Sequence, residues 1–186
     1  MNRLERTVEG IHAASLAVWL SALVGAGLAA AVVFPVMRDL DPRLPGYASY
    51  TGEHWMIAAG HVGRRVFSIA DRAQLVVSAV AVVSLAVATR LGLSGGVWLA
   101  IRWIAVGVAA SLAVYNGLVL APAMDQDLTT YWAAAREGDG AKAAQYKAAF
   151  SAAHPHASMV LQVGAASVLV GVISAAASRG SRRPSV

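Results

Sequence analysis

Four stretches of the chain carry no acidic or basic residue apart from histidine: Ile11 to Met37, Ala73 to Thr89, Trp103 to Met124 and Pro155 to Ser178. A helix needs about 20 mostly apolar residues to cross a hydrocarbon core. Each stretch is close to that length or longer. The second gains length at its start, because Ile57 to Arg72 is also compatible with helix. The pattern predicts four membrane-crossing helices, at about residues 11–37, 66–90, 99–124 and 154–178, in a single domain covering 1–186. A cleaved secretory leader is not expected. The apolar run after Arg3 and Arg6 exceeds the roughly 7–15 residues of a leader's core, and Glu5 and Glu9 are out of place in one.

The connections between the helices differ in kind. Asp39 to Gly52 (DLDPRLPGYASYTG) is rich in Pro, Gly and Tyr and reads as loop. Asp125 to Ala153 reads as a helical hairpin, with DQDLTTYWAAARE as its first arm, Gly138-Asp139-Gly140 as its turn and AKAAQYKAAFSAA as its second. Alanine favours helix and glycine interrupts it. Helices three and four therefore read as rods extended beyond the membrane as a hairpin, with a kink expected at Pro122 in the first and Pro155 starting the span in the second. The predicted fold is an all-α membrane protein, an antiparallel four-helix transmembrane bundle.

Helices in lipid associate through close packing and polar contacts, because lipid tails are as apolar as leucine. Two stripes of small residues at a spacing of four are candidate contact faces: Ala13, Ala17, Ser21, Gly25 and Ala29 in the first span, and Ala105, Ala109, Ala113, Gly117 and Ala121 in the third.

Composition strengthens this picture. Hydrophobic residues make up 58% of the chain and charged ones 13%; soluble domains average about half and a quarter. The net charge of +5 would suggest nucleic acid in a soluble protein. Here the arginines cluster at span ends, so the expected partner is the lipid bilayer and not nucleic acid. Arg3, Arg6, Arg90, Arg102, Arg179, Arg182 and Arg183 fall on the side of the termini. The opposite side holds a similar number of basic residues, but in longer connections accompanied by acids. This places both termini in the cytoplasm, in a bacterial inner membrane. Cysteine is absent, which excludes disulfides, thiolate metal sites and a thiol nucleophile.

Polar groups inside spans should face the bundle interior. Asn116 and Gln162 are expected to do so, with Gln74, Ser78, Tyr115 and Ser158. GRRVFSIADR (Gly63 to Arg72) reads as a headgroup-facing segment with snorkelling arginines; the alternative is an interior ion pair of Asp71 with Arg72 or with an arginine of another helix.

Four of the five histidines, His54, His61, His154 and His156, fall near the boundary opposite the termini, with Met37, Met56, Met124 and Met159. Imidazole and thioether together suit copper, above all Cu(I). His61, His154, His156, Met124 and Met159 form the candidate metal set. A haem held between His61 and His154 is a second, more remote candidate. No phosphate-binding glycine loop, GxSxG or HExxH motif is present, so no enzymatic role is expected.

Four segments taken in order carry a resemblance: His12-A-A-S-L-A-V-Trp19-L-S, Gly60-H-V-G-R-R-V-Phe67, Asn116-G-L-V-L-A-Pro122 and Phe150-S-A-A-His154-P-H-A-Ser158. Together they resemble the transmembrane protein 205-like family over nearly the whole chain. The F-x3-H-x3-S element of Phe150, His154 and Ser158 is the most specific of them. The first span also looks like the opening of copper-resistance D-type membrane proteins, through His12 and Trp19. The resemblance implies a small four-span membrane protein without a known reaction. The expected role is non-enzymatic, as an accessory partner of another membrane protein or a homo-oligomer, or in tolerance of small molecules or metals; the alternatives are a copper-binding or copper-transporting protein using the outer His/Met set and a small cytochrome-like electron carrier.

Overall fold

The computed structural model describes residues 3–93 and 95–180. It is all helix, turn and loop. Helix α1 spans Arg3–Leu40, α2 His54–Arg90, α3 Gly96–Tyr115, α4 Ala121–Glu137 and α5 Gly140–Gly180. A single π turn, Asn116–Leu120, joins α3 to α4, so residues 96–137 form one rod. Four helices are long and apolar enough to cross a membrane. Arg182 and Arg183 and the side chain of Arg179, which entered the orientation argument, lie outside the described residues.

The π turn follows from Pro122. A proline inside a helix lacks its N–H and its ring collides with the carbonyl four residues back, here that of Leu118. Widening the preceding turn relieves this, and the Ala121 N–H donates to the Asn116 carbonyl five residues back. The expected kink is thus a local widening. Pro155 does not start a helix: it lies inside α5, which runs unbroken from Gly140. The turn between α4 and α5 falls at the predicted glycines. Gly138 ends α4 with φ of 78°, a left-handed conformation that glycine adopts without strain. A Cβ there would also lie 3.0 Å from the Ser49 side chain.

The long helices contact one another in a closed cycle, α1 on α2, α2 on α3, α3 on α5 and α5 on α1. Two large cores result, beside a small third cluster of Val8, Ala88 and Leu93. The first lies between the long helices and is built from Leu16, Trp19, Leu23, Ala81, Leu85, Val106, Ala109, Ala113, Val168 and Ala175. The second is aromatic and consists of Tyr47, Ile57, Tyr131, Trp132, Ala134, Ala135 and Ala143. It joins the 41–53 loop, the start of α2, α4 and the start of α5.

The two small-residue stripes have different fates. Ala105, Ala109 and Ala113 are buried and Gly117 and Ala121 half-buried, so the α3 stripe is a contact face; a Cβ on Gly117 would meet Leu75 at 3.0 Å. The α1 stripe is not: Ala17, Ser21 and Gly25 are exposed, and nothing lies within 4 Å of where a Gly25 Cβ would be. The inward face of α1 is instead Val8, His12, Ser15, Leu16, Trp19, Leu23 and Ala26. Larger residues, with only Ser15 and Ala26 small among them, make that contact.

Candidate functional site

Polar chemistry collects in three places. The first is the rim of the aromatic core. His54 closes the 41–53 loop: its Nδ1 accepts from the Leu44 N–H at 3.0 Å and its Nε2 faces the Tyr50 carbonyl at 2.9 Å. Because Nδ1 accepts, the ring proton sits on Nε2 and is donated to Tyr50. Both nitrogens are therefore used in holding the loop. The Tyr50 and Tyr131 hydroxyls are 3.0 Å apart, and burial leads the causes that push the Tyr131 phenol up.

Beside this, Arg136 donates to the Tyr47 hydroxyl at 3.2 Å and lies 5.2 Å from the centre of its ring. The Tyr47 oxygen is 3.1 Å from His61 Nε2. An oxygen that accepts from a guanidinium has its proton free to give, so Tyr47 donates to a neutral His61. The His61 ring stacks on Trp132 with centroids 3.9 Å apart. Burial, then the charges of Arg136, Arg64 and Arg65, hold its pKa below the ordinary 6.5. His61 lies on α2 before the apolar segment. As pH falls, the unfolded chain takes up this proton before the folded one does. The aromatic rim therefore loses stability as pH drops from 6.5 towards the folded value, and is unaffected above it. An NMR titration of the His61 ring is expected to give a midpoint below 6.5, raised by Arg136→Gln; a midpoint at or above 6.5 would contradict the Tyr47 bond.

The second place lies deeper along α2. The Asn116 amide donates to the Asp71 carboxylate at 2.8 Å, and Gln74 reaches it at 3.4 Å. Asn116 is the first residue of the π turn. The alternative pairing of Asp71 with Arg72 does not form, because neighbouring helical residues point apart: Asp71 turns inward and Arg72 is exposed. Gln162 also departs from expectation. It is exposed on the outer surface of α5, while Asn116 is buried.

The third place was not visible as a site in the sequence. Arg102, which reads as a flanking charge, is only 3% exposed. It donates to the Ser174 carbonyl at 3.1 Å and to the Ser178 hydroxyl on α5. His12 is 2% exposed, with Nδ1 3.2 Å from both the Ala81 carbonyl and the Ser84 hydroxyl. Glu9, His12, Ala88, Arg102 and Ala175 line a cavity of about 10 Å³ between them, the size of a single water. His12 and Trp19, the two residues singled out by resemblance in the first span, thus both face inward.

The candidate metal ligands are dispersed. His61 is engaged with Tyr47 and Trp132, His156 faces the Tyr115 hydroxyl at 3.1 Å, and His154 lies against Phe150 with centroids 5.7 Å apart. His154, His156 and Met159 are exposed, and Met124 is half-buried. Among the described residues no three His, Asp or Glu side chains could hold one metal ion. The Phe150, His154 and Ser158 element has a local meaning: the three occupy successive turns of α5, where Phe150 meets the His154 ring and the Ser158 hydroxyl donates to the His154 carbonyl at 3.0 Å. No family model, curated protein or solved structure matches the chain.

Proposed function

We propose that the chain is an integral membrane protein that works as an accessory partner, its four long helices forming an antiparallel bundle and its aromatic core standing outside the membrane as a docking module. The observation that carries this reading is the division into two cores of different chemistry. The core between the long helices is aliphatic apart from Trp19 and lies behind an apolar outer surface, on which Val18, Val24, Leu28, Val32, Val36, Val76 and Val83 are exposed. Such a belt is stable against lipid and a liability in water. The second core is tyrosine-rich and rimmed by hydrogen bonds, as in water-soluble proteins. The antiparallel arrangement is supported by contacts of opposite sense along α1 and α2: His12 meets Ala81 and Ser84, while Phe34 meets Gly63.

A non-enzymatic role is supported by how the rim spends its titratable groups. His54 uses both nitrogens, Tyr47 and Arg136 bind each other, and Arg64 grips Asp125, with Nη2 2.9 Å from Oδ2. These are structural commitments that leave a rigid surface, formed by the hairpin, to meet a partner or a second copy. The resemblance to the transmembrane protein 205-like family agrees with a small four-span membrane protein.

The absence of cysteine makes the topology directly measurable. Single cysteines at Gly46 and Asp139 are expected to react with a membrane-impermeant maleimide from one side of sealed vesicles, and one at Gly95 from the other. A cysteine at Gly25 should stay unlabelled. Labelling at Gly25, or at 46 and 95 from the same side, would end the four-span reading.

A further inference from the structure

One face of α2 carries two arginines, Arg65 and Arg72, that neither the bundle nor the docking module uses. His61, Arg64, Arg65, Ser68, Ile69 and Arg72 open onto a groove of about 420 Å³. Their steps of three and four place all six on one side of the helix. Arg64 is committed to Asp125. Among the described residues no carboxylate pairs with Arg65 or Arg72. Asp71, adjacent to Arg72 in sequence, is turned inward to Asn116 and Gln74. Two guanidinium groups two helical turns apart, about 10 Å along the axis, therefore face outward without a counter-charge. Ser68 stands between them, a hydroxyl that can donate. Ile69, 71% exposed, gives the same face an apolar edge. Helical side chains lean toward the N-terminus of their helix, which carries Arg72 back over Ser68. Guanidinium groups match the oxygens of phosphate in pairs, where ammonium groups would act as point charges.

We propose that this face of α2 is a phosphate-binding site formed by Arg65, Ser68 and Arg72, the phosphate being that of an anionic lipid headgroup or a free, water-soluble one. The lipid version rests on the membrane reading above; the soluble version does not. Position favours the lipid: Arg72 directly precedes the charge-free run from Ala73 to Thr89, so the groove lies where a headgroup would meet the start of the apolar belt.

The test uses the purified full chain in an uncharged detergent. Dioleoyl phosphatidylglycerol is titrated in, bound lipid is counted by native mass spectrometry, and inorganic phosphate is added as competitor in a second arm. The double variant Arg65→Gln with Arg72→Gln is compared with Arg38→Gln and Arg43→Gln, which removes the same charge elsewhere. Removal of two arginines at an anionic surface is expected to weaken binding roughly 30-fold, and the control by no more than roughly 3-fold. Ser68→Glu, which puts a negative charge in the groove, should weaken it as strongly and provides an independent reading. Lipid binding that resists inorganic phosphate assigns the site to a headgroup, and displacement by phosphate assigns it to a soluble ligand. Equal binding by the wild type and both groove variants, or equal weakening in the control, overturns the site. Extraction of the chain from native membranes at alkaline pH would sink the membrane reading alone, and the phosphate arm would still report on the groove.

Discussion

Trp132→Ala is expected to unfold the aromatic module while the core between the long helices stays intact. Trp132 is 5% exposed and packs among Tyr47, Ile57, Tyr131 and Ala143. It covers Gly60 so closely that a Cβ there would lie 3.0 Å from Trp132 Cζ2, and it carries the stacked His61 ring. Truncation therefore removes the piece that ties α4 to α2. In water such a change loses both the transfer free energy of the ring and the packing around the cavity, about 3–5 kcal/mol for Trp→Ala. That is a large share of what a small module has. The two cores have no residue in common, so the loss should stay local. Limited proteolysis in detergent reads the result: cleavage in residues 41–53 and at the 138–140 turn should rise steeply, while α1 and the apolar part of α2 remain protected. Loss of protection in all helices at once would show that the two cores fold as one unit.

The helices were legible in the sequence because their signal is long and local. A charge-free run of span length bounded by Arg38, Arg90, Asp125 or Arg179 leaves few alternatives. The hairpin turn was legible for the same reason, since Gly138 and Gly140 punctuate two alanine-rich arms. The facing of the helices was less so. In a chain this rich in alanine, small residues recur every four positions on more than one face, and the α1 stripe of Ala17, Ser21 and Gly25 marks the outside. The inward face follows His12, Leu16, Trp19, Leu23 and Ala26, alternating steps of four and three. A search for that alternation would have found it.

The polar residues were the hardest to place, because their partners are distant in sequence. Arg102 is received in the interior by Ser174 and Ser178, more than seventy residues on. Nothing near Arg102 separates it from a flanking charge such as Arg90. Gln162 and Asn116 have the same chemistry in similar runs, yet Asn116 faces inward and finds the Asp71 carboxylate while Gln162 is exposed. Histidine spacing was equally silent. The outer histidines share a boundary, but each is drawn to a different aromatic neighbour, His61 to Tyr47 and Trp132, His156 to Tyr115 and His154 to Phe150. Residue type suggested one cluster; packing made three separate contacts.

Trp19 should respond differently from Trp132, and the difference tests the membrane reading itself. Trp19 is 1% exposed at the centre of the first core, and its indole N–H has no hydrogen-bond partner among the described residues. Trp19→Ala removes about 140 Å³ of side chain, worth up to about 3 kcal/mol at ~24 cal/mol per Å³ of cavity if the helices do not collapse inward. Separated helices in a bilayer already rest against lipid, so the water-transfer part of the cost is missing and only packing is lost. The expected loss is therefore about 2–3 kcal/mol, smaller than at Trp132 although Trp19 is the more buried. Trp19→Phe keeps most of the ring and removes the unpartnered N–H, so its cost should stay below about 1.5 kcal/mol. Unfolding of the two variants by sodium dodecyl sulfate in mixed micelles gives both values. A Phe variant as damaged as the Ala variant would mean that the indole N–H has a partner outside the described residues. A Trp19→Ala cost well above that of Trp132→Ala would mean that the first core is held by water exclusion, which a bundle in lipid does not have.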